Sequence, residues 1–510
     1  MRNLRNIFAL ILFLAIFATF SVMPIFSNGV GIDRMAVPDS AEIRKDIAEL
    51  WFYKDVSVIR ELPTEIHLNS VGQRFQVKLE ETEKNFSVIV APETTVTYEY
   101  YDGRTMTADD ETSEKNVVTQ SVSEYLGDAC GSFELSRDLS TGKAEYVRFY
   151  ITNDSGVYIQ FSPSAKGNKT FADYVINGFY AARSVPIGIN FETLYTASLP
   201  QIRNWTKKSL PWKYVDVSYG QYAQKLHMIE VIRNNLDRVT FQWDAAYDEN
   251  EKPVRISDGG ERTVSEELKI DSDSLVSATD LSALAEYDSE EGSFAEKSAD
   301  KQMRSLSSAG FVKWIVDGLV KPLAGSGTYL EPLKRPTVLQ NPVGYAGIRQ
   351  EKDNLSFTLD WTRNLAAARV SVQTRKVYLY EKSGVDVTIN PFSFVSTEKG
   401  ITGIAGYTKD SGYRIDEIPS LLYVLGASEP TYFYLAAIRK PLPSVPGKSA
   451  EIYTFDEAAV IFPFFTKDNS FDCVIFQNGK ELDLNEFISK NSDCYVHLTR
   501  VLSSDKFKLY

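Results

Sequence analysis

Between Arg74 and Phe161 apolar and polar residues alternate with a period of two, and no other pattern in the chain restricts its fold as much. Side chains that alternate in character must point to opposite faces of an extended strand, one dry and one wet. Arg74-Phe75-Gln76-Val77-Lys78-Leu79-Glu80 is the plainest case, and Phe86 to Val90 and Thr95 to Tyr101 continue it. Phe133 to Leu139 and Tyr146 to Thr152 flank the turn residues Ser140-Thr141-Gly142-Lys143, which predicts a hairpin, with Val157 to Phe161 as the next strand. Residues 30–165 are therefore expected to form an antiparallel β domain, a sandwich or small barrel, within an α+β chain.

On either side of this domain the composition changes. Met1 to Gly29 places Arg2 and Arg5 before an apolar run from Ile7 to Phe20, then small residues around Ser27-Asn28-Gly29, the layout of a secretory signal peptide spanning 1–29. Apolar character persists through Val22, Met23, Ile25 and Phe26, so an uncleaved segment would approach membrane-spanning length. It would be the chain's route to a membrane; otherwise the product is periplasmic or extracellular. Residues 166–254 mix short strands with helical spacing, notably from Gln221 to Arg238, and read as a connection. Residues 255–303 form an acidic, serine-rich insertion. From Ile256 to Asp300 there are 13 Asp and Glu against 3 Lys and Arg, a net of −10 out of −13 for the whole chain. Such a segment is expected to stay solvated and disordered. It has no Asp-x-Asp-x-Asp-Gly loop for calcium.

Residues 304–510 begin with a helix. Phe311, Trp314, Ile315 and Leu319 recur at one-face spacing, and Ser307 or Ser308 stands at the N-cap or first turn. A helix N-terminus stabilises a thiolate and lowers its pKa, so cysteine nucleophiles are often found there; a serine hydroxyl gains little and requires a neighbouring base. Taken by itself, the stretch is a capped, buried helix. Further on, Ile415 to Leu425 has helical spacing, Tyr432 to Arg439 reads as a strand, and Ala458 to Phe465 with Phe471 to Phe476 reads as a hairpin around Lys467-Asp468-Asn469.

Ser308-Ala309-Gly310-Phe311-Val312-Lys313-Trp314 resembles the Cys-Ser-Gly-Phe-small-polar-Trp stretch of NlpC-like cysteine peptidases, with Ser308 in the place of the cysteine. Glu457-Ala458-Ala459-Val460-Ile461-Phe462 is similar to the strand that the family's catalytic histidine opens, with Glu457 in the place of that histidine. The resemblance implies a papain-like α+β domain over 304–510 in which both catalytic positions have been replaced. Leu359-Asp360-Trp361-Thr362-Arg363-Asn364 and Leu421-Leu422-Tyr423-Val424-Leu425 also resemble parts of a large secreted subfamily with this domain, without an assigned role.

Only His67, His227 and His497 are available as bases in 510 residues. His67 reads as a half-exposed strand residue and His227 as a helix surface position. His497 is the one histidine left to partner Ser308. The spacing of His and Cys matches no zinc motif, and no metal or other cofactor is expected. Cys130, Cys473 and Cys494 are too few for a disulfide framework, although Cys473 and Cys494, in neighbouring apolar strands, could pair. The acidic balance, with no basic stripe to offset it, argues against nucleic acid as a partner.

These readings predict an exported envelope protein whose NlpC-like domain lacks catalytic Cys and His and binds peptidoglycan peptide or an envelope protein. One alternative is an active serine-type hydrolase using Ser308, with His497 or Glu457 as base. Another is a structural envelope protein with no peptidase ancestry.

Overall fold

The computed structural model describes residues 37–101, 117–166, 169–256, 303–338, 355–393, 395–397, 400–403, 405–441 and 453–510. The expected signal peptide and nearly all of the acidic insertion lie outside these residues. Among the described residues, no helix is long and apolar enough to cross a membrane.

The predicted alternation is borne out. Strands β1 (Glu65–Leu68), β2 (Arg74–Glu81) and β3 (Asn85–Pro92) form a meander, and Phe75 and Val77 of β2 turn to the core while their neighbours face solvent. A separate hairpin follows, β4 (Thr94–Tyr101) with β5 (Val117–Glu124), before the meander resumes. It continues through β6 (Phe133–Asp138), β7 (Ala144–Tyr150) and β8 (Val157–Pro163), then β9 (Thr170–Ile176) and β10 (Phe179–Ile187). Two features differ from expectation. The sheet runs past residue 165 to Ile187, because β9 pairs with β8 and β10 pairs with β9 through two register shifts. It is also one open sheet rather than a sandwich or closed barrel: the strand order is linear, and its edge strands do not pair with one another among the described residues.

Helix α1 (Ala41–Trp51) buries Ile43, Ile47 and Trp51, spaced i, i+4 and i+8, in the same core. Between them Arg44 is fully buried. Its guanidinium lies 4.5 Å from the Phe133 ring, donates to the carbonyls of Tyr195 (2.9 Å) and Ala197 (2.7 Å) and stands 3.6 Å from the Asp39 carboxylate, so the charge is met by backbone oxygens, π faces and one counter-ion. Beyond the sheet come α2 (Leu199–Thr206) and α3 (Ala223–Arg233), the latter inside the helical spacing read from 221 to 238. Three-residue strands β11 (Val239–Phe241), β12 (Ala245–Tyr247), β13 (Pro253–Arg255) and β14 (Arg304–Leu306) lead into the C-terminal unit.

That unit carries α4 (Ser308–Ala324) and α5 (Phe357–Thr374), then β15 (Val395–Thr397), β16 (Gly400–Gly403), β17 (Tyr413–Arg414) and α6 (Ile418–Ser428). After these come β18 (Tyr432–Pro441), β19 (Tyr453–Phe465), β20 (Phe471–Gln477), β21 (Lys480–Leu482), α7 (Leu484–Lys490) and β22 (Tyr495–Leu502). The six-stranded antiparallel sheet has the order β17-β22-β18-β19-β20-β21. Helices cover both of its faces: Leu359 of α5 packs on Ala437, whereas Tyr423 of α6 packs on Phe465 with ring centroids 5.0 Å apart. Burial on two sides explains why β19 reads as the unbroken apolar run Ala458 to Phe465. The chain is thus mixed α+β with an N-terminal antiparallel β unit. All three cysteines are free thiols. Cys473 and Cys494 do not pair because β19 and β18 stand between the strand of Cys473 and β22, which Cys494 precedes.

Candidate functional site

Ser307 is the N-cap of α4: its Oγ accepts from the N–H of Gly310 at 3.1 Å and donates to the carbonyl of Ile256. Gly310 is required because the helix lies against the start of β12. A Cβ there would stand 2.4 Å from the carbonyl oxygen of Ala245. Ser308 then opens the helix with its side chain against β19. Pairing of β19 with β20 begins only at Val460 and Phe476, so Ala458 is left without a strand partner on that side. The Ser308 hydroxyl takes that partner's place: it accepts from the N–H of Ala458 at 2.5 Å and donates to its carbonyl at 3.1 Å. Ser308 is fully buried. Its one proton is committed to a backbone carbonyl, leaving none for a base to take.

Glu457 immediately precedes Ala458, so the two positions singled out from sequence are neighbours in space. They do not face each other as base and nucleophile. Successive strand residues point to opposite sides, and the Glu457 carboxylate is held by Lys440 Nζ at 2.5 Å and Gln477 Nε2 at 2.5 Å. Nor does His497 reach Ser308. The register Ala458, Ala437, His497 crosses two strand spacings, roughly 10 Å at about 4.8 Å each, and the His497 ring is engaged elsewhere. A cavity beside α4, between Tyr247, Arg304, Lys313 and Tyr510, has about 20 Å³, room for about one water and no peptide.

What the sequence reading missed is a buried charged cluster around His497. Arg363 of α5 sends Nη2 to Asp386 Oδ2 at 2.8 Å and to Asp410 Oδ1 at 2.9 Å, while Nη1 reaches Thr337 Oγ1 at 3.1 Å. Tyr380 donates to Asp386 at 2.6 Å, and its ring lies 4.5 Å from the Arg363 guanidinium. His497 Nε2 stands 3.3 Å from Asp386 Oδ2 and 3.3 Å from the Tyr407 hydroxyl, and Nδ1, also buried, has no partner among the described residues. Burial by itself would raise the Asp386 carboxyl, but the hydrogen bond from His497, the charge of Arg363 and the Tyr380 hydroxyl hold it at about 2. Burial pulls His497 below its usual value despite Asp386. At neutral pH the cluster therefore sets an ionised Asp386 beside the Arg363 guanidinium, with a neutral imidazole.

The signal for this cluster was the stretch Leu359 to Asn364, which had no assigned role. Asp360 accepts from Thr337 N–H and Oγ1, each at 2.7 Å; Trp361 Nε1 donates to the Ala309 carbonyl at 3.0 Å; Asn364 donates to the carbonyls of Leu333 and Arg335. Polar residues fixed on three sides of one helix turn this stretch into the wiring of the domain. Nearby, Glu417 is buried with Oε2 accepting from Gly406 N–H at 3.1 Å and Oε1 without a partner among the described residues, and burial pushes it up to about 7. Among the described residues no group of three or more His, Cys, Asp and Glu could hold a metal.

Comparison with known families adds one finding. A family described as a domain of unknown function (DUF8515) matches residues 33–214, less than half of the chain. The match takes in α1, the meander through β10 and α2, and stops ahead of the C-terminal unit. No curated protein and no solved structure matches.

Proposed function

We propose that residues 304–510 are a degenerate, papain-like unit of NlpC type in an exported envelope protein, and that the unit holds cell-wall peptide or an envelope partner without cleaving it. The observation that supports this reading is the burial of Ser308. It opens a helix that packs on the strand bearing Glu457, the arrangement the resemblance implies for nucleophile and base, yet its hydroxyl is sealed by the backbone of Ala458. A serine without a base within hydrogen-bond reach is not activated. The test is to incubate the purified exported chain with intact peptidoglycan and with soluble wall peptides. Sedimentation with peptidoglycan and no new fragments by mass spectrometry is the expected result. Cleavage that Ser308→Ala abolishes would replace the proposal with a serine hydrolase, and absence of any binding to wall or envelope extracts would leave a structural role.

A further inference from the structure

The His497 cluster sits at the root of a hairpin that the C-terminal half gives to the N-terminal sheet. The outgoing stem runs along β22: Val387 N–H donates to the Leu498 carbonyl at 3.0 Å, and Arg500 N–H donates to that of Val385 at 2.7 Å. It then crosses to the other sheet. Phe392 packs on Phe179 with centroids 5.4 Å apart, Ser393 N–H donates to the Tyr180 carbonyl at 3.0 Å, and Val395 of β15 pairs with Phe179 of β10. Strand β16 turns back, and the returning stem comes through Tyr407 and Asp410 to Tyr413, which pairs with Val496. The stems are laced together, since Tyr407 N–H donates to Asn390 Oδ1 at 2.7 Å and Tyr413 Oη donates to the Ile389 carbonyl at 2.7 Å.

One side chain from outside the hairpin ties both stems. Asp386 is on the outgoing stem and Asp410 on the returning one, and a single atom, Arg363 Nη2, contacts both. We propose that Arg363 is a clasp that keeps this hairpin docked on the N-terminal sheet and so couples the two halves of the molecule. The chemistry suits arginine. A planar, permanently charged fork meets two carboxylates and the Thr337 hydroxyl together, and without it two carboxylates would face each other in a partly buried setting. A lysine at this position keeps the charge but cannot span the three acceptors. The docking contact itself is slender, one register pair, one ring pair and the Ser393 bond to Tyr180, so it depends on how well the root is held.

Hydrogen–deuterium exchange on the full chain tests this, comparing wild type with Arg363→Lys and Asp410→Asn. Loss of a charge-assisted bond should speed exchange about tenfold or more in residues 386–393 and 405–412 and at Phe179 to Ala181. Leu435 to Ile438 and Val460 to Phe462, inside the C-terminal sheet, should keep their protection. Asp410→Asn retains the Arg363 to Asp386 pair, so it reports a milder version of the same pattern even where Arg363→Lys does not fold. Unchanged exchange in both stems would overturn the proposal. So would equal acceleration of the sheet strands, which would mark Arg363 as a general core residue.

Discussion

Lys225 offers a measurement whose size follows from the geometry. It lies on α3 and is fully buried. Its ammonium donates to the carbonyl of Pro463 at 2.5 Å and stands 5.1 Å from the Tyr222 ring. Burial lowers its pKa from the ordinary 10.5 to about 7, only partly offset by Glu429. A base whose folded pKa is depressed costs stability in full below the folded value, and the cost fades as pH rises toward the unfolded one. At about 1.4 kcal/mol for each tenfold change in proton affinity, this is about 5 kcal/mol near pH 7. Lys225→Met keeps the length and removes the cost. It also forfeits the bond to Pro463, leaving a carbonyl unsatisfied at about 1–3 kcal/mol, so a net gain of about 2–4 kcal/mol at pH 7 is expected. Urea unfolding of both proteins from pH 7 to pH 9 is the assay, because the difference between them cancels every other titration. The advantage of the variant should shrink by about 1.4 kcal/mol per pH unit as pH rises. A variant less stable at pH 7, or a difference that does not change with pH, would refute the reasoning.

Two further perturbations bear on the site. Ser308→Ala removes both bonds to Ala458 and leaves a buried N–H without a partner, so thermal or urea unfolding should show a loss of about 1–3 kcal/mol with no change in any hydrolytic background. Glu417, raised from 4.5 to about 7 by burial, should contribute most when protonated. Stability falls as pH rises through that window, by about 3 kcal/mol. Glu417→Gln should flatten the window in a pH series of melting curves, and an unaltered slope would show that the carboxyl is not the titrating group.

Much of the fold was legible because each element displays its own burial. A strand with one dry face alternates, as β2 does, and a helix with one dry face repeats Phe311, Trp314, Ile315 and Leu319. The hairpin at residues 458–476 was read correctly for the same reason. Helix α5 was not, because the face it buries carries Thr358, Asp360, Thr362, Arg363 and Arg369. Such side chains look solvent-facing until their partners are known, and Thr337, Asp386 and Asp410 lie 23 to 47 residues away. The candidate site was half legible in the same way. The stretches around Ser308 and Glu457 do meet, as a capped helix against an apolar strand. Whether the hydroxyl is open or sealed depended on where β20 stops pairing with β19.

The amino-acid sequence by itself determined those strands and helices that have one apolar face, since periodicity and caps act within a few residues. Only the tertiary structure decided that the N-terminal sheet is open and runs to Ile187, that it takes two strands from the other half, and that Arg363, Asp386, Asp410 and His497 share one buried site. Those outcomes rest on contacts between residues far apart in the chain. Their energies come from desolvation and from hydrogen bonds that exist only once both partners are in place, so local pattern carries no trace of them.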